Sequence, residues 1–450
     1  MKIATRAAYG EALVELAEQY PELVVFDADL ANATMTKGFA AKYPNRFFDM
    51  GIAECNMTGV AAGMATCGFK PFTNTFAIFA AGRAWEQVRN SVAYPHLNVK
   101  IVGSHGGLSV GEDGATHQCI EDFALMRVIP DMKVLCPCDG YEMKLAVKAL
   151  LDYDGPAYLR LGRAAVETVT DGIEGYRFEM DKGVTLADGS DVTVIATGMM
   201  VQLALRAREM MAAQGVSVRV IDMHTIKPLD EALVRKAAEE TGCIVTSEEH
   251  SIIGGLGSAV AECLAEHRPT VLVRHGVNDE FGRSGTAAAV LEKYGLTAEV
   301  LCDKIREALR RKWSDPLNQR TGRCFAPCSL NFTPPTPCCT PCRRPTMRRR
   351  STSCFLRAPA SARISCATGR RPWATRCLPI SIPTRRAARS CGWRSCICGR
   401  RRAGWGLAAS FLPSCARAAR RASAWRSSRT ISAPPRSTGA WVFRPCPMIR

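Results

Sequence analysis

The sequence VKIVGSHGGLSVGEDGATHQ, residues 99–118, joins an apolar run to a glycine-rich polar loop and decides the fold class. Its start, Val99–Val102, is predicted to be a buried strand. The loop holds two of the chain's seven histidines, His105 and His117, with a Glu–Asp pair and four glycines between them. Open α/β sheets bind small molecules at the carboxyl ends of their strands, and glycine lets a ligand approach the backbone closely. The loop is therefore a candidate site for chemistry on a small polar molecule. The alternative is a surface turn that carries incidental histidines.

Similar apolar runs recur through residues 1–165 and predict an α/β domain whose parallel sheet is covered by helices on both faces. The other predicted strands are 24–26, 47–50, 134–135 and 157–161, and the predicted helices are 53–64 and 140–151. We expect a linker over residues 166–190 and a smaller α/β domain over residues 191–312. In that domain the predicted strands are 192–196, 216–221, 244–247 and 271–274, and the predicted helices are 201–214, 231–241, 298–311 and one that follows Gly254–Gly257. The glycine-rich turn at Gly254–Gly257 could hold an anion or serve only for packing.

Residues 313–450 differ in composition from the rest of the chain. They contain 27 arginines, no lysine and one acid, Asp315, whereas residues 1–312 contain 32 basic and 41 acidic residues. Arginine, alanine, proline, serine, cysteine and tryptophan dominate this tail, as they do when a GC-rich gene is translated out of frame. We predict that the tail is irregular or disordered and is a frameshift or read-through product. The alternatives are an RNA-binding arm and a zinc module at Cys339–Cys342 and Cys396–Cys398.

The first 312 residues have the composition of an ordinary globular protein, long enough to bury a core and divide into two domains. No apolar segment near Met1 resembles a signal peptide, and no window reaches the ~18 apolar residues of a membrane span. The eight cysteines of this part show no disulfide spacing, which indicates reduced thiols and a cytoplasmic location. There is no Walker motif and no dinucleotide-binding fingerprint.

Two groups of side chains outside the loop could also carry chemistry. Glu54 begins a predicted helix, where it could cap the helix or, if desolvated, exchange a proton. Three phenylalanines are spaced by four and three residues, which predicts one helical face that serves as core or as a stacking platform; they are Phe72, Phe76 and Phe79.

Arginine and histidine side chains complete the candidates. Arg6, Arg160 and Arg163 could clamp a phosphate or remain solvated. His105 and His117 have no third ligand at zinc spacing, so proton transfer or hydrogen bonding to a polyol suits them better than metal binding. No metal ligand is therefore expected in this chain.

The run Gly-Ile-Ala-Glu-Cys-Asn at residues 51–56 and the loop at residues 104–118 together resemble the transketolase family of thiamine-diphosphate enzymes. The resemblance covers residues 1–312 and corresponds to the C-terminal subunit of split bacterial transketolases. It implies a pyrimidine-type thiamine-diphosphate-binding domain followed by a smaller transketolase C-terminal domain. It also implies transfer of a two-carbon ketol unit from a ketose phosphate to an aldose phosphate in the pentose phosphate pathway.

The resemblance assigns roles to individual residues. Glu54 would hydrogen-bond to N1′ of the cofactor's aminopyrimidine, Phe79 would stack on that ring beside Phe76, and Asp29 would lie near the thiazolium. The remaining roles are substrate contacts: His105, Asp113 and His117 at sugar hydroxyls, and Arg6 and Arg163 at phosphate. Glu54, His105 and His117 are the residues expected to be catalytic.

The sequence departs from the family pattern in three places. Asn32-Ala33-Thr34 replaces Pro-Ser-Asn, which removes a serine that helps to bind phosphate, and Gly82 stands where many members carry tyrosine. The Gly-Asp-Gly half that binds the diphosphate is missing, which implies a separate N-terminal subunit that supplies the Mg²⁺ ligands, and a dimeric core within a heterotetramer. The alternatives are 1-deoxyxylulose-5-phosphate synthase, a 2-oxoacid dehydrogenase β-subunit and, in another class, nucleic-acid binding through the tail.

Overall fold

The apolar run before the loop becomes the central strand of a sheet in the computed structural model, which describes residues 2–173 and 175–314. The strands are β1 (Lys2–Ala4), β2 (Leu23–Asp27), β3 (Phe47–Asp49), β4 (Lys70–Phe76), β5 (Lys100–Ser104), β6 (Lys133–Leu135), β7 (Ala157–Arg160), β8 (Ala165–Glu167), β9 (Val184–Ala187), β10 (Val192–Ala196), β11 (Val218–Asp222), β12 (Thr225–Lys227), β13 (Cys243–Ser251) and β14 (Val271–Val277). The helices are α1 (Thr5–Leu16), α2 (Ala31–Thr34), α3 (Lys37–Lys42), α4 (Glu54–Thr66), α5 (Trp85–Gln87), α6 (Asp122–Arg127), α7 (Gly140–Asp152), α8 (Met200–Ala212), α9 (Glu231–Thr241), α10 (Leu256–His267), α11 (Ala287–Lys293) and α12 (Ala298–Ser314).

The first sheet has the order β12-β6-β7-β5-β4-β2-β3, and its strands are parallel except β12. Helices α1, α3 and α7 pack on one face through a core that includes Tyr9, Phe39 and Leu150. Helices α4 and α6 cover the other face through a second core that includes Met57 and Phe123. Both faces are therefore buried, which confirms the predicted α/β class with a parallel sheet.

The second sheet has the order β14-β13-β10-β11-β9, with β9 antiparallel and the other strands parallel. Helices α8 and α12 pack on one face and α9 and α10 on the other. Strand β12 follows β11 in the chain but pairs with β6 of the first sheet. The two sheets are thus joined by a strand that the second half of the chain contributes to the first.

The prediction that Phe72, Phe76 and Phe79 share a helical face was wrong. Phe72 and Phe76 lie on strand β4, and Phe79 begins a π-helical turn, Phe79–Arg83, beyond it. Side chains separated by two or four residues on a strand share a face, so Phe72 and Phe76 lie on the same face of β4. The spacing of four and three residues therefore does not reflect a helix: it arises because a buried strand is followed by a turn that begins at Phe79.

The predicted linker is shorter than expected, because strands occupy both of its ends. Strand β8 pairs with β1 before residue 168, and β9 pairs with β11 from residue 184. The prediction for residues 313–450 falls almost entirely outside the described residues, since only Trp313 and Ser314 of that range continue α12. The described part of the chain contains no helix with the length and hydrophobicity of a membrane span.

Candidate functional site

The carboxyl ends of β2, β3, β4, β5 and β7 meet at one edge of the first sheet, because these strands are parallel neighbours. This edge is where α/β sheets place their ligands. The chain leaves β4 at Phe76 and β5 at Ser104, and both strands then lead into segments that carry predicted site residues. The parallel topology therefore gathers side chains that are far apart in the sequence.

Two aspartates shape the turn beyond β2. Asp27 is fully buried and accepts hydrogen bonds from the Leu30 amide at 2.6 Å and from the hydroxyls of Thr34 and Thr36 at 2.7 and 2.9 Å. Burial raises the pKa of Asp27 above its ordinary value. This network fixes the turn that carries Asp29, whose φ of 59° is in the left-handed region and whose side chain is exposed.

Glu54 is the first residue of α4, and its side chain is 1% exposed. The carboxylate accepts from Arg83 Nη1 at 3.0 Å to one oxygen and 2.8 Å to the other. The guanidinium carbon of Arg83 lies 4.5 Å from the centroid of the Phe79 ring. The Arg83 side chain is 47% exposed, so one half-exposed cation covers a buried carboxylate and an aromatic face together.

Aromatic rings and two imidazoles form a cluster beside this pair. The Phe76 ring lies 6.0 Å from Phe79 and 4.1 Å from His105, measured between centroids. The ring of His117 meets both phenylalanines edge-on, at 6.0 and 5.5 Å. The structure therefore brings the two loop histidines together with two of the predicted phenylalanines.

His105 is nearly enclosed and electrically neutral at neutral pH. Burial, reinforced by the positive charges of Arg6 and Arg163, lowers the pKa of His105 to about 3. Its Nδ1 shares a hydrogen bond of 2.8 Å with Ser104 Oγ. An uncharged imidazole in this position exchanges hydrogen bonds with a hydroxyl and does not attract an anion.

Arg6 and Arg163 are close enough for their charges to interact. Burial and the charge of Arg163 lower the pKa of Arg6. Arg6 Nη1 donates to the Ala33 carbonyl at 2.7 Å, and its Nε has no hydrogen-bond partner within the described part of the chain. Arg163 Nη1 lies 2.9 Å from Glu112 Oε2 and also donates to the Val110 carbonyl. Two like charges with an unused buried donor favour an anion between them.

The suggestion that Arg160 clamps a phosphate was wrong. Its side chain is 4% exposed, its Nε lies 3.2 Å from Asp122 Oδ2, and it stacks over Phe123. Its Nη2 donates to the carbonyls of Cys119 at 3.2 Å and Glu249 at 2.9 Å. All its contacts are internal, and its partner Asp122 is too distant in sequence for the pairing to be read from spacing.

Residues of the second domain hydrogen-bond to the histidine loop. Glu249, on β13, accepts from the Ser109 amide at 2.5 Å. Gln118 Nε2 donates to the Arg283 carbonyl at 2.9 Å. Gly107 has φ of 85°, in the left-handed region, and a Cβ there would lie 2.3 Å from the Glu249 carboxyl carbon. Both the backbone conformation and the lack of room for a side chain therefore require glycine at this position. Sequence reasoning missed Glu249 because its contact joins distant segments.

The remaining predicted residues lie outside this set of contacts. Asp113 is exposed in the short turn Gly111–Asp113, and no hydrogen bond or ion pair holds its side chain among residues 2–173 and 175–314. The amides of the turn at Gly254–Gly257 are used internally: the Glu248 carboxyl group accepts from the amides of Leu256 at 2.7 Å and Gly257 at 2.8 Å, and burial raises the pKa of Glu248 to about 7.

Within the described residues, three buried side chains lie close enough together to be compared with a metal site. The Sγ of Cys138 and the carboxylates of Glu142 and Asp222 lie within 4.8 Å of one another. Burial and the charge of Glu142 raise the pKa of Asp222 well above its ordinary value. Glu142 already accepts from the Cys138 amide at 2.6 Å and from the Tyr176 hydroxyl. A proton held by Asp222 therefore removes the repulsion that two charged carboxylates would have at this distance.

Comparison with known proteins identifies the family. The family model of the transketolase pyrimidine-binding domain matches residues 1–168, and that of the transketolase C-terminal domain matches residues 181–301. A putative transketolase C-terminal section from Methanocaldococcus jannaschii is 49% identical over 308 residues, which are 68% of this chain and 96% of that protein. The chain belongs to the transketolase family. The resemblance inferred from the two sequence motifs is confirmed.

Other transketolase-family proteins of the same extent are also similar. A 6-deoxy-6-sulfo-D-fructose transketolase subunit from Clostridium sp. is 44% identical over 307 residues, 68% of this chain and 95% of that protein. A solved structure described as a split gene transketolase in an inactive beta4 tetramer is 52% identical, with a TM-score of 0.65, and the match covers 69% of this chain and 99% of that one. The chain is thus a C-terminal section of a split transketolase.

The transketolase family implies thiamine diphosphate, and the contacts of Glu54 test whether its aminopyrimidine fits. The planar guanidinium of Arg83 donates to this carboxylate while lying on Phe79. A planar nitrogen heterocycle that stacks on a ring and hydrogen-bonds to a carboxylate needs the same two contacts. The residues present therefore fit the ring. Sequence reasoning missed Arg83, although its position four residues after Phe79 in a helical segment would have placed both on one face.

Proposed function

We propose that this chain is the C-terminal subunit of a two-subunit transketolase that transfers a two-carbon ketol unit from a ketose phosphate to an aldose phosphate. The observation that carries the proposal is the buried Glu54 carboxylate, linked through Arg83 to the ring of Phe79, next to the cluster of His105 and His117. A stacking ring, a buried carboxylate and hydrogen-bonding imidazoles are the groups that this reaction requires from the subunit.

Glu54 is the residue that would engage the cofactor. When bound, thiamine diphosphate supplies the carbon nucleophile and the electron sink for cleavage of a carbon–carbon bond. Glu54 would hold a proton at N1′ of the aminopyrimidine, and Phe79 and Phe76 would keep that ring in place. Burial of the carboxylate excludes water from this hydrogen bond and so strengthens it. Asp29, at the turn after β2, is assigned to the thiazolium side.

The loop histidines and the arginine pair would bind the sugar. His105, neutral because its pKa is about 3, would exchange hydrogen bonds with hydroxyl groups, and His117 and Asp113 would do so from the more open side of the loop. Arg6 and Arg163 would receive the phosphate, which relieves the repulsion between their charges. The Ala33 carbonyl that Arg6 contacts lies where the family pattern has the phosphate-binding serine.

The rest of the site would come from elsewhere. We propose a separate N-terminal subunit that contributes the diphosphate site and the Mg²⁺ ligands, with two copies of this chain forming a dimeric core within a heterotetramer. Support comes from the length of the related split subunits, which this chain covers almost completely. The pentose phosphate pathway and a cytoplasmic location remain predictions, since the Clostridium relative carries the name of a sulfosugar in place of a pentose phosphate.

The test is ketol transfer by the complex of this chain with an N-terminal thiamine-diphosphate subunit. Glu54→Gln removes the ionisable carboxylate at nearly constant shape and should lower the transfer rate about 100-fold or more, the scale of a lost proton-transfer group. Glu86→Gln, an exposed carboxylate in the same region, is the matched control and should retain the wild-type rate. A Glu54→Gln complex with near-normal rates would overturn the proposal.

A further inference from the structure

Arg83 occupies the space between the Glu54 carboxylate and the Phe79 ring. One nitrogen, Nη1, reaches both carboxylate oxygens, and the guanidinium carbon lies over the ring, 4.5 Å from its centroid. Glu54 is sealed from water, whereas Arg83 is half exposed. Arg83 is therefore the member of the pair that borders solvent.

Local backbone geometry directs Arg83 onto this surface. Residues 79–83 form a π-helical turn, closed by the Ala84 amide donating to the Phe79 carbonyl at 3.2 Å. Turns of this type reorient side chains and occur often at functional sites. Gly82, just before Arg83, adds no side chain of its own, and a Cβ there would come no closer than 3.6 Å to Ile78 Cδ1. Nothing on Gly82 therefore competes with Arg83 for the face of Phe79.

We infer that Arg83 is an internal ligand of the aminopyrimidine site, which the cofactor ring must displace from Glu54 and Phe79 when it binds. This inference rests on the proposed function. A planar ring stacked on Phe79 and hydrogen-bonded to Glu54 needs the volume that the guanidinium fills, so the two occupants exclude one another. Because its side chain already borders solvent, Arg83 can turn outward without crossing the core.

The contact has two opposed consequences. It provides a counter-charge for a buried carboxylate that would otherwise be costly to keep ionised in the free subunit. It also weakens cofactor binding, because the ion pair and the cation–π contact must be broken first. Cofactor affinity is thereby set partly by a residue that makes no contact with the cofactor once it is bound.

The experiment measures thiamine diphosphate binding calorimetrically, on the full chain assembled with the N-terminal subunit and Mg²⁺. Arg83→Met keeps an apolar stem and removes the donor, and it should tighten binding about five- to tenfold, the effect of roughly 1–1.4 kcal/mol. Arg83→Gln retains one donor to Glu54, so its affinity for thiamine diphosphate should lie between those of the wild type and Arg83→Met. This second variant keeps the test decisive if Arg83→Met folds poorly. Arg89→Met, which removes an exposed arginine of the same region, is the matched control and should leave the affinity unchanged.

The outcomes separate this inference from the proposed function. If the wild-type complex does not bind thiamine diphosphate at all, the proposed function fails. If the wild-type complex binds it and Arg83→Met and Arg83→Gln bind it equally or more weakly, the displacement model is overturned; weaker binding would show that Arg83 supports the bound ring. A second readout is the melting temperature of the isolated chain, which should fall in Arg83→Met as Glu54 loses its partner.

Discussion

Replacement of Gly106 by alanine should damage the protein through Arg160. A Cβ at Gly106 would lie 2.0 Å from Arg160 Nε and 2.8 Å from Arg160 Cγ. The backbone cannot move away easily, because the Gly106 amide donates to the Leu161 carbonyl at 3.2 Å and the residue bridges to Cys119. Arg160 must therefore move, and its buried ion pair with Asp122 is broken.

The cost follows from two opposing effects. Breaking a buried ion pair costs about 3–5 kcal/mol. Gly106 is not in the left-handed region, so alanine restricts the unfolded chain and returns about 0.4–1 kcal/mol. The free energy of unfolding should therefore fall by about 2–4.6 kcal/mol, measured by urea denaturation followed by circular dichroism. Gly38→Ala, where the new Cβ would meet only Val14 at 3.7 Å, is the control and should not destabilise the protein.

A double-mutant cycle tests the cause of the loss. In an Arg160→Ala background the clash no longer exists, so adding Gly106→Ala should cost less than about 1 kcal/mol. Equal costs in the two backgrounds would refute the reasoning, because the damage would then arise from the backbone at Gly106 and not from displacement of Arg160.

Two further predictions concern His105 and the tail. The pKa of His105 is about 3 in the folded protein, below its ordinary 6.5, so between these values the unfolded chain binds a proton that the folded chain does not, and stability falls as the pH falls. His105→Asn should lose less stability than the wild type between about pH 6.5 and about pH 4.5, measured as urea midpoints; equal losses would contradict this. A chain ending at Ser314 retains α12 and the hydrogen bonds from Lys312 Nζ to the carbonyls of Asp191 at 2.9 Å and Thr241 at 2.7 Å, so with its partner subunit it should transfer ketol units at the full-length rate. A large loss of rate would argue against a frameshift or read-through origin of the tail, residues 313–450.

The sequence was sufficient for the parts of the fold that depend on local pattern. Apolar runs such as Val99–Val102 located the parallel strands, since a strand buried on both faces is apolar throughout. The same uniformity misled the interpretation of Phe72 and Phe76, because a buried strand lacks the alternation that distinguishes it from a buried helix.

In the candidate site, too, the residues that belong to local sequence motifs could be predicted and those that depend on long-range contacts could not. Glu54 and the loop histidines stood out because they belong to long motifs, whereas Glu249 and Asp122 act through contacts between segments that no spacing connects. Arg160 shows the limit most plainly, since its sequence surroundings suit a surface phosphate clamp and its tertiary surroundings make it an internal ion pair. Charge alone does not reveal whether a side chain faces water.

Strand β12 has a consequence for dividing the molecule. It covers the outer edge of β6, a position where unpaired amide and carbonyl groups would otherwise invite strands from other chains. A fragment cut between β8 and β9 would contain every catalytic candidate yet leave that edge bare, and so be prone to aggregate. Dividing the chain between the two sheets would therefore separate a strand from the sheet that it completes.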